Sequence, residues 1–249
     1  NGPVLQKVIA FSLPLMLSSC LQLLFNAADV IVVGRFAGST SLAAVGSTTE
    51  LLSLLTTLFI GFSIGANVNV ARTLGNQDDQ GTKDGVHTAI SVSILSGSAM
   101  ILLGFLFGRP MLQWMGTPAD VIDKASLYLM IIFIGMPSNM AYNFGSAILR
   151  AMGDTKRPLY FLSAAGVLNV VLNLIFVIVL HMDVAGVALA TILSETLSAV
   201  LILNCLCRTD GPCHLNIRKL YIQKDQLIRM LRIGLPAGIQ SGMFSFSNV

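Results

Sequence analysis

Seven long apolar stretches dominate this chain, and few folds can accommodate them. They run at about 5–33, 42–71, 86–108, 121–149, 159–180, 184–207 and 228–249. A bilayer core of roughly 30 Å needs about 20 residues of helix at 1.5 Å per residue, and every stretch reaches that length. Charged or Gly/Pro-bearing segments divide them: Gly34-Arg35, Gly75 to Gly85, Arg109 to Thr117, Arg150 to Pro158 and Arg208 to Asp225. Only His181-Met182-Asp183 separates the fifth stretch from the sixth, which predicts a tight hairpin. Charged residues make up 11% of the chain and the mean hydropathy is +0.78, whereas a soluble domain carries about a quarter charged residues. An ordinary cytosolic enzyme and a disordered chain are both excluded. The expected fold class is an all-α polytopic membrane protein.

The placement of Lys and Arg tests that division independently. With the N-terminus on one side, only Arg35, Arg109 and Lys124 fall opposite, and the remaining twelve basic residues share the N-terminal side. This bias assigns the N-terminus to the cytoplasm of a multi-pass protein of the plasma (inner) membrane. A large soluble core of seven buried helices would not alternate in this way. Because the basic residues are sorted by side and not gathered in a patch, the net charge of +3 does not call for a nucleic-acid partner. Cys20, Cys205, Cys207 and Cys213 are too few and too clustered for a disulfide framework, and with His214 they match no zinc spacing. Asn1-Gly2-Pro3 lacks an initiator Met and the chain stops inside an apolar stretch, so it reads as a piece of a longer protein. No cleavable signal sequence is evident.

A shift of 222 residues aligns Leu13-Pro14 with Leu235-Pro236, Ser19 with Ser241 and Asn26 with Asn248, and sets Lys7 opposite Arg229. The match pairs the first stretch with the seventh. Six intervening crossings put both starts on the same side, so the repeat is parallel, a known transporter plan. A seven-helix protein with a chance match is the alternative.

Apart from Asp123 at the mouth of the fourth stretch, three acidic residues fall within the stretches: Asp29, Glu50 and Glu195. A carboxylate at mid-membrane costs about 3 kcal/mol on insertion scales, so each is a functional candidate. Ser18, Gln22, Asn26 and Asp29 follow helical spacing and form a polar stripe on the first helix. Asn169 and Asn173 share a face of the fifth, as do Asn139, Asn143 and Ser146 of the fourth. These amides suit substrate binding and helix–helix hydrogen bonding equally. A carboxylate whose surroundings alternate between desolvated and aqueous can load and release a proton, or exchange it for a cationic ligand. Asp29 is the first candidate for that role. Pro14, Pro137 and Pro236 interrupt stretches and are hinges or fixed kinks, with Pro14 the candidate hinge. Gly61 and Gly65 read as helix-packing positions, and His87 and His181 as solvated residues near span ends. No phosphate loop, HExxH pair or nucleophile elbow is present, so no enzyme is expected.

With these residues in view, the chain resembles the multidrug and toxic compound extrusion (MATE) family, within the larger group that includes lipid-linked oligosaccharide flippases. The resemblance rests on Leu13-Pro14, Asn26-Ala-Ala-Asp29 and Val33-Gly34, then Gly65-Ala66-Asn67, Ala71-Arg72 and Gly75. It continues with Arg150-Ala-Met-Gly-Asp154-Thr, Leu168-Asn169-Val-Val-Leu-Asn173 and Gly186-Val-Ala-Leu-Ala-Thr191. It implies a twelve-helix exporter of two six-helix lobes around a cleft that opens to each side in turn. Residues 1–227 would form the first lobe with its connecting loop, and 228–249 the first helix of a truncated second lobe. Family members expel organic cations and other drugs in exchange for protons or sodium ions, so the partners implied are such small molecules and the lipid bilayer. No cofactor beyond the coupling ion is implied, and the full-length chain is expected to work as a monomer.

By that resemblance Asp29, Asn169 and Thr191 match the family's first-lobe pattern. The position that is often a second Asp is Asn173 here, which removes one negative charge and weakens the case for sodium. The Glu that some members carry in helix seven has no counterpart in Phe244-Ser245-Phe246. Coupling is therefore expected at Asp29, with Gln22, Asn26, Asn169, Asn173 and Thr191 around the ion or substrate, and with bending at Pro14 on protonation. A lipid-linked glycan flippase is one rival, but it would line its cleft with Lys or Arg, and those here sit at span ends. A non-transporting membrane scaffold is a second. The 249 residues alone are not expected to transport, and the seventh helix, without the rest of its lobe, is expected to pack poorly.

Overall fold

A computed structural model describes residues 4–247, with side chains at 5, 6 and 8–243, and its seven long helices account for the seven apolar stretches. They are α1 (Val4–Val32), α2 (Ser39–Gly75), α3 (Asp79–Trp114), α4 (Ile122–Ala151), α5 (Lys156–Asn173), α6 (Asp183–Arg208) and α7 (Lys224–Ser247). There is no strand among the described residues. Six helices, α1 to α6, are long and apolar enough to cross a membrane, which makes this a multi-pass membrane protein. α7 opens on Lys224, Asp225, Arg229 and Arg232, so its apolar part is shorter.

Two expected breaks fall elsewhere. Gly34-Arg35 does not end the first helix, which continues through a wider-wound turn, Val33–Ala37, until Gly38 reverses the chain at φ 90°. α3 runs through Pro110 to Trp114, because losing one N–H near its end still leaves Met115 bonded to the Met111 carbonyl at 3.0 Å. The hairpin between α5 and α6 is as tight as expected. α5 widens into a π-type turn, Leu174–Val179, and His181 and Asp183 turn the chain at φ 52° and 55°.

α4 lies at the centre, in contact with α2, α3 and α6, and is the most buried of the spans. α5 packs on α6, and α1 packs on α5 at the rim, the least buried span. Small residues set these distances. A Cβ on Gly166 of α5 would stand 1.8 Å from the Phe25 ring of α1, so the missing side chain is what lets the two helices close. Hydroxyls inside the spans mostly return to carbonyls of their own helix, as Ser18 to Pro14 at 2.9 Å and Thr49 to Val45 at 2.8 Å. No polar group is then left facing lipid unbonded at these positions.

α7 does not pack poorly. It lies along α2, and the glycines at 61 and 65 meet those at 234 and 238 backbone to backbone. A Cβ on Gly61 would fall 2.2 Å from the Gly238 Cα, and one on Gly65 would fall 2.1 Å from the Met230 carbonyl oxygen. Two four-residue glycine spacings in register give the pair a surface of its own, which is why α7 needs no further lobe to seat it. Asn248, the repeat partner of Asn26, lies outside the described residues, as does the Lys7 side chain.

His87 is also not solvated. It is 1% exposed and holds the connector between α6 and α7. Its Nδ1 lies 2.9 Å from the Lys83 carbonyl, its Nε2 accepts from the Asn216 N–H at 3.2 Å, and its ring stacks on Tyr221 at 5.1 Å. The Tyr221 hydroxyl donates to Asp84 at 2.5 Å, and loss of solvent together with that carboxylate pushes the phenol up to about 12. A buried Asn69–Gln226 hydrogen bond of 2.7 Å then ties α2 to the start of α7. His181 is exposed, as expected.

Candidate functional site

Three helices bring polar side chains to one place inside the bundle. α1 supplies Asp29, α5 supplies Asn169 and Asn173 one turn apart, and α6 supplies Thr191. Gly166 lies on the same face of α5 as the two asparagines, so the close approach of Phe25 to it also carries Asp29, one turn further along α1, onto Asn173. The Asn173 Nδ2 donates to the Asp29 carboxylate and also reaches the Asn169 Oδ1 at 3.2 Å. The Asn169 Nδ2 lies 3.5 Å from the Thr191 Oγ1, whose hydroxyl donates to the Val187 carbonyl at 3.0 Å. Asn173 is wholly buried, and its Oδ1 has no hydrogen-bond partner.

The stripe on α1 does not converge as a unit. The side chains of Gln22 and Asn26 are exposed and make no hydrogen bond among the described residues, and Ser18 is buried against its own helix. Helical period sets the four residues on one side of α1, but of these only Asp29 bonds a side chain of α5. Pro14 is buried, and α1 stays helical through it. Pro137 lies against α3, where a Cβ on Gly97 would fall 2.4 Å from its Cα, which marks a packing contact.

A second polar group adjoins the first. Glu195 stands one turn beyond Thr191 on α6, and its Oε1 accepts from the Asn139 Nδ2 of α4 at 2.8 Å. The Asn143 Nδ2 in turn reaches the Asn139 Oδ1 at 2.9 Å. The sequence marks Glu195 as intramembrane but does not pair it. The signal that could have done so is the four-residue spacing from Thr191, which sets both on one face of α6. Glu50 is exposed on α2 and joins neither group. Neither Asp29 nor Glu195 has a basic partner: the ion pairs among the described residues are Arg109–Asp123, Lys124–Asp183 and Arg157–Asp154. The described residues contain no group of three or more His, Cys, Asp or Glu placed to hold a metal ion.

The MatE family model matches residues 14–175, a stretch that runs from Pro14 through Asp29 to beyond Asn173. The chain belongs to the MatE family. This is a family of transporters and not of enzymes. The probable multidrug resistance protein YoeA of Bacillus subtilis is 29% identical over 253 residues, covering 99% of this chain and 55% of the relative. The probable multidrug resistance protein YpnP of Bacillus subtilis is 31% identical over 244 residues, covering 96% and 54%. Among solved structures, a MATE in the bent conformation superposes with a TM-score of 0.88 at 27% identity, over 96% of this chain and 53% of that one. A multidrug resistance MATE transporter of the MOP superfamily gives 0.86 in its outward-facing conformation, at 27% identity over 94% and 52%. An inward-facing one gives 0.84, at 26% over 96% and 55%. The MatE chain spans about half the length of the curated relatives it matches.

Proposed function

We propose that this MatE chain forms the first lobe of a secondary active antiporter that exports drugs and organic cations in exchange for protons or sodium ions by alternating access. In this reading residues 1–227 are the six-helix lobe with its connecting loop, and 228–249 open the second lobe. The protein sits in the plasma (inner) membrane with its N-terminus in the cytoplasm and works as a monomer when full length. It uses no cofactor besides the coupling ion. The multidrug names of YoeA and YpnP support the substrate class.

One observation carries the coupling role: Asp29 lies inside the bundle with no basic partner among the described residues, beside a buried Asn173 whose Oδ1 is unsatisfied there. An amide can offer its NH2 to an ionised carboxylate or, turned over, its oxygen to the protonated acid. Asn173 therefore suits both proton states of Asp29, and its free oxygen lies at hand for a donor or a cation. Exposed Gln22 and Asn26, on the same helix, are placed for substrate and not for the ion. Protonation of Asp29 frees α1 from α5, and bending near Pro14 releases the substrate outward. Protons fit this set better than sodium, because Asn173 stands where a second carboxylate would complete a sodium shell.

The test uses the full-length protein in inverted membrane vesicles, with a fluorescent organic cation and an imposed proton or sodium gradient. Proton-driven transport in the wild type and its loss in Asp29→Asn, with insertion unchanged, is the expected result. Undiminished transport by the variant would sink the assignment.

A further inference from the structure

We propose that Glu195, held by Asn139, is a second exchangeable proton site, so that each transport cycle carries two protons and not one. The proposal builds on the reading of Asp29 above. Glu195 is half-buried among spans, lacks a Lys, Arg or His partner among the described residues, and its carboxylate is bonded there by a neutral amide alone. A carboxylate in that setting has two stable conditions: the neutral acid, or the anion with a cation beside it. The titratable groups near enough to interact with it electrostatically are Asp29 from α1 and Tyr128 from α4. None of these supplies a compensating positive charge, so a proton is the simplest occupant.

Position makes the site part of the transport path and not an isolated buried acid. Thr191 and Glu195 share a face of α6, so the chain of hydrogen bonds that begins at Asp29 and Asn173 leads to Thr191 and, one turn on, to Glu195. α6 runs from the hairpin at 181–183 toward the connector, so Glu195 lies on the connector side of Asp29. Asn143 steadies Asn139 from the next turn of α4 in the same direction. Proton uptake turns the carboxylate into the neutral acid, whose O–H donates where the anion accepted, and the Asn139 amide turns over to receive it. Release on the other side restores the anion and the 2.8 Å bond. The turn of Asn139 also breaks the bond that its Oδ1 accepts from the Asn143 Nδ2, which keeps its 2.9 Å bond to the Asn139 backbone carbonyl, and the same bond re-forms on release.

The proton count is measured in proteoliposomes of the full-length transporter, with the membrane potential clamped at zero, as the substrate gradient that just balances an imposed pH gradient. For two protons, a tenfold proton gradient balances a substrate gradient of about a hundredfold, and for one proton about tenfold. Wild type is expected to give the first value and Glu195→Gln, still transporting, the second. An unchanged ratio in Glu195→Gln would overturn the proposal. So would a weaker apparent affinity for the substrate with the proton count intact, which would make Glu195 a substrate anchor. If Glu195→Gln does not transport, pH-difference infrared spectroscopy decides. A carboxylic-acid carbonyl band should be absent in Glu195→Gln and moved in Glu195→Asp, and an identical band in all three would overturn the site. Transport that survives Asp29→Asn would remove the reading of Asp29 while leaving the infrared result on Glu195 to stand or fall by itself.

Discussion

At the scale of single residues, the site is a sequence of amides of graded importance. Asn173 touches Asp29 directly, Asn169 touches Asn173 at 3.2 Å, and the Asn169–Thr191 contact of 3.5 Å is at the limit of a hydrogen bond. A hydrogen bond to a charged group contributes about 1.5–3 kcal/mol and a neutral one about 1 kcal/mol. Asn173→Ala should therefore slow gradient-driven transport roughly ten- to a hundredfold, and Asn169→Ala roughly fivefold. Initial rates of the two variants in the same vesicles check the order, and an Asn169→Ala defect larger than that of Asn173→Ala would reverse the assigned roles.

At the scale of helices, the apolar stretches and their number are legible in the sequence because twenty apolar residues in succession have no other home. Where each helix ends is less so. Pro110 and Gly34-Arg35 look like breaks, yet the helices run past them, since an end turn can shed or widen one hydrogen bond at small cost. The polar cluster is half legible: Asp29, Asn169 and Asn173 carry a helical period, whereas Gln22 and Asn26 carry the same period and stay exposed. Periodicity gives a face, not the neighbour that face meets, and the neighbour depends on glycines such as Gly166 whose role is visible only in contact. The same holds for α7, whose seat on α2 rests on glycines far apart in the chain, Gly61 and Gly65 on one helix and Gly234 and Gly238 on the other. Gly65→Leu should lift α7 from α2, because even its Cβ would overlap the Met230 carbonyl, whereas Gly46→Ala, with open space around it, should be silent. Cross-linking between cysteines placed on α2 and α7 reads the difference. The connector gives a further test. Cys213 is 1% exposed and burial pushes its thiol up, so it should resist alkylation in the folded protein. His87→Ala, which removes the acceptor for the Asn216 N–H and the stack on Tyr221, should raise its labelling rate by about thirtyfold, near the two hydrogen-bond equivalents released.

At the scale of the molecule, charge and fold agree on one orientation. The helices gather the basic residues of the α2–α3 turn, the α4–α5 turn and the connector at a single end of the bundle, beside the start of α1. At the opposite end Arg109 pairs with Asp123 at 2.9 Å and Lys124 with Asp183 at 2.5 Å, leaving Arg35 the one basic residue of that end without an ion-pair partner among the described residues. Lys124 also donates to Ser41 at 2.9 Å, so these pairs close the ends of α2, α4 and α6 together. Loop charge within a few turns of the spans sets orientation at insertion, and the twelve-to-three division predicts that the basic end faces the cytoplasm. Single cysteines introduced at 76–78, 152–154 and 217–219, in a chain whose four native cysteines are replaced, should react with a membrane-impermeant maleimide only in inverted vesicles. Cysteines at 116–120 and 180–182 should react only in right-side-out cells. The reverse pattern would turn the protein over. Asp29 would then lie toward the cytoplasmic end of its helix, and proton entry at Asp29 and Glu195 would have to be reassigned to the opposite faces of the membrane. The same labelling experiment therefore tests the orientation and the direction in which the two carboxylates are loaded.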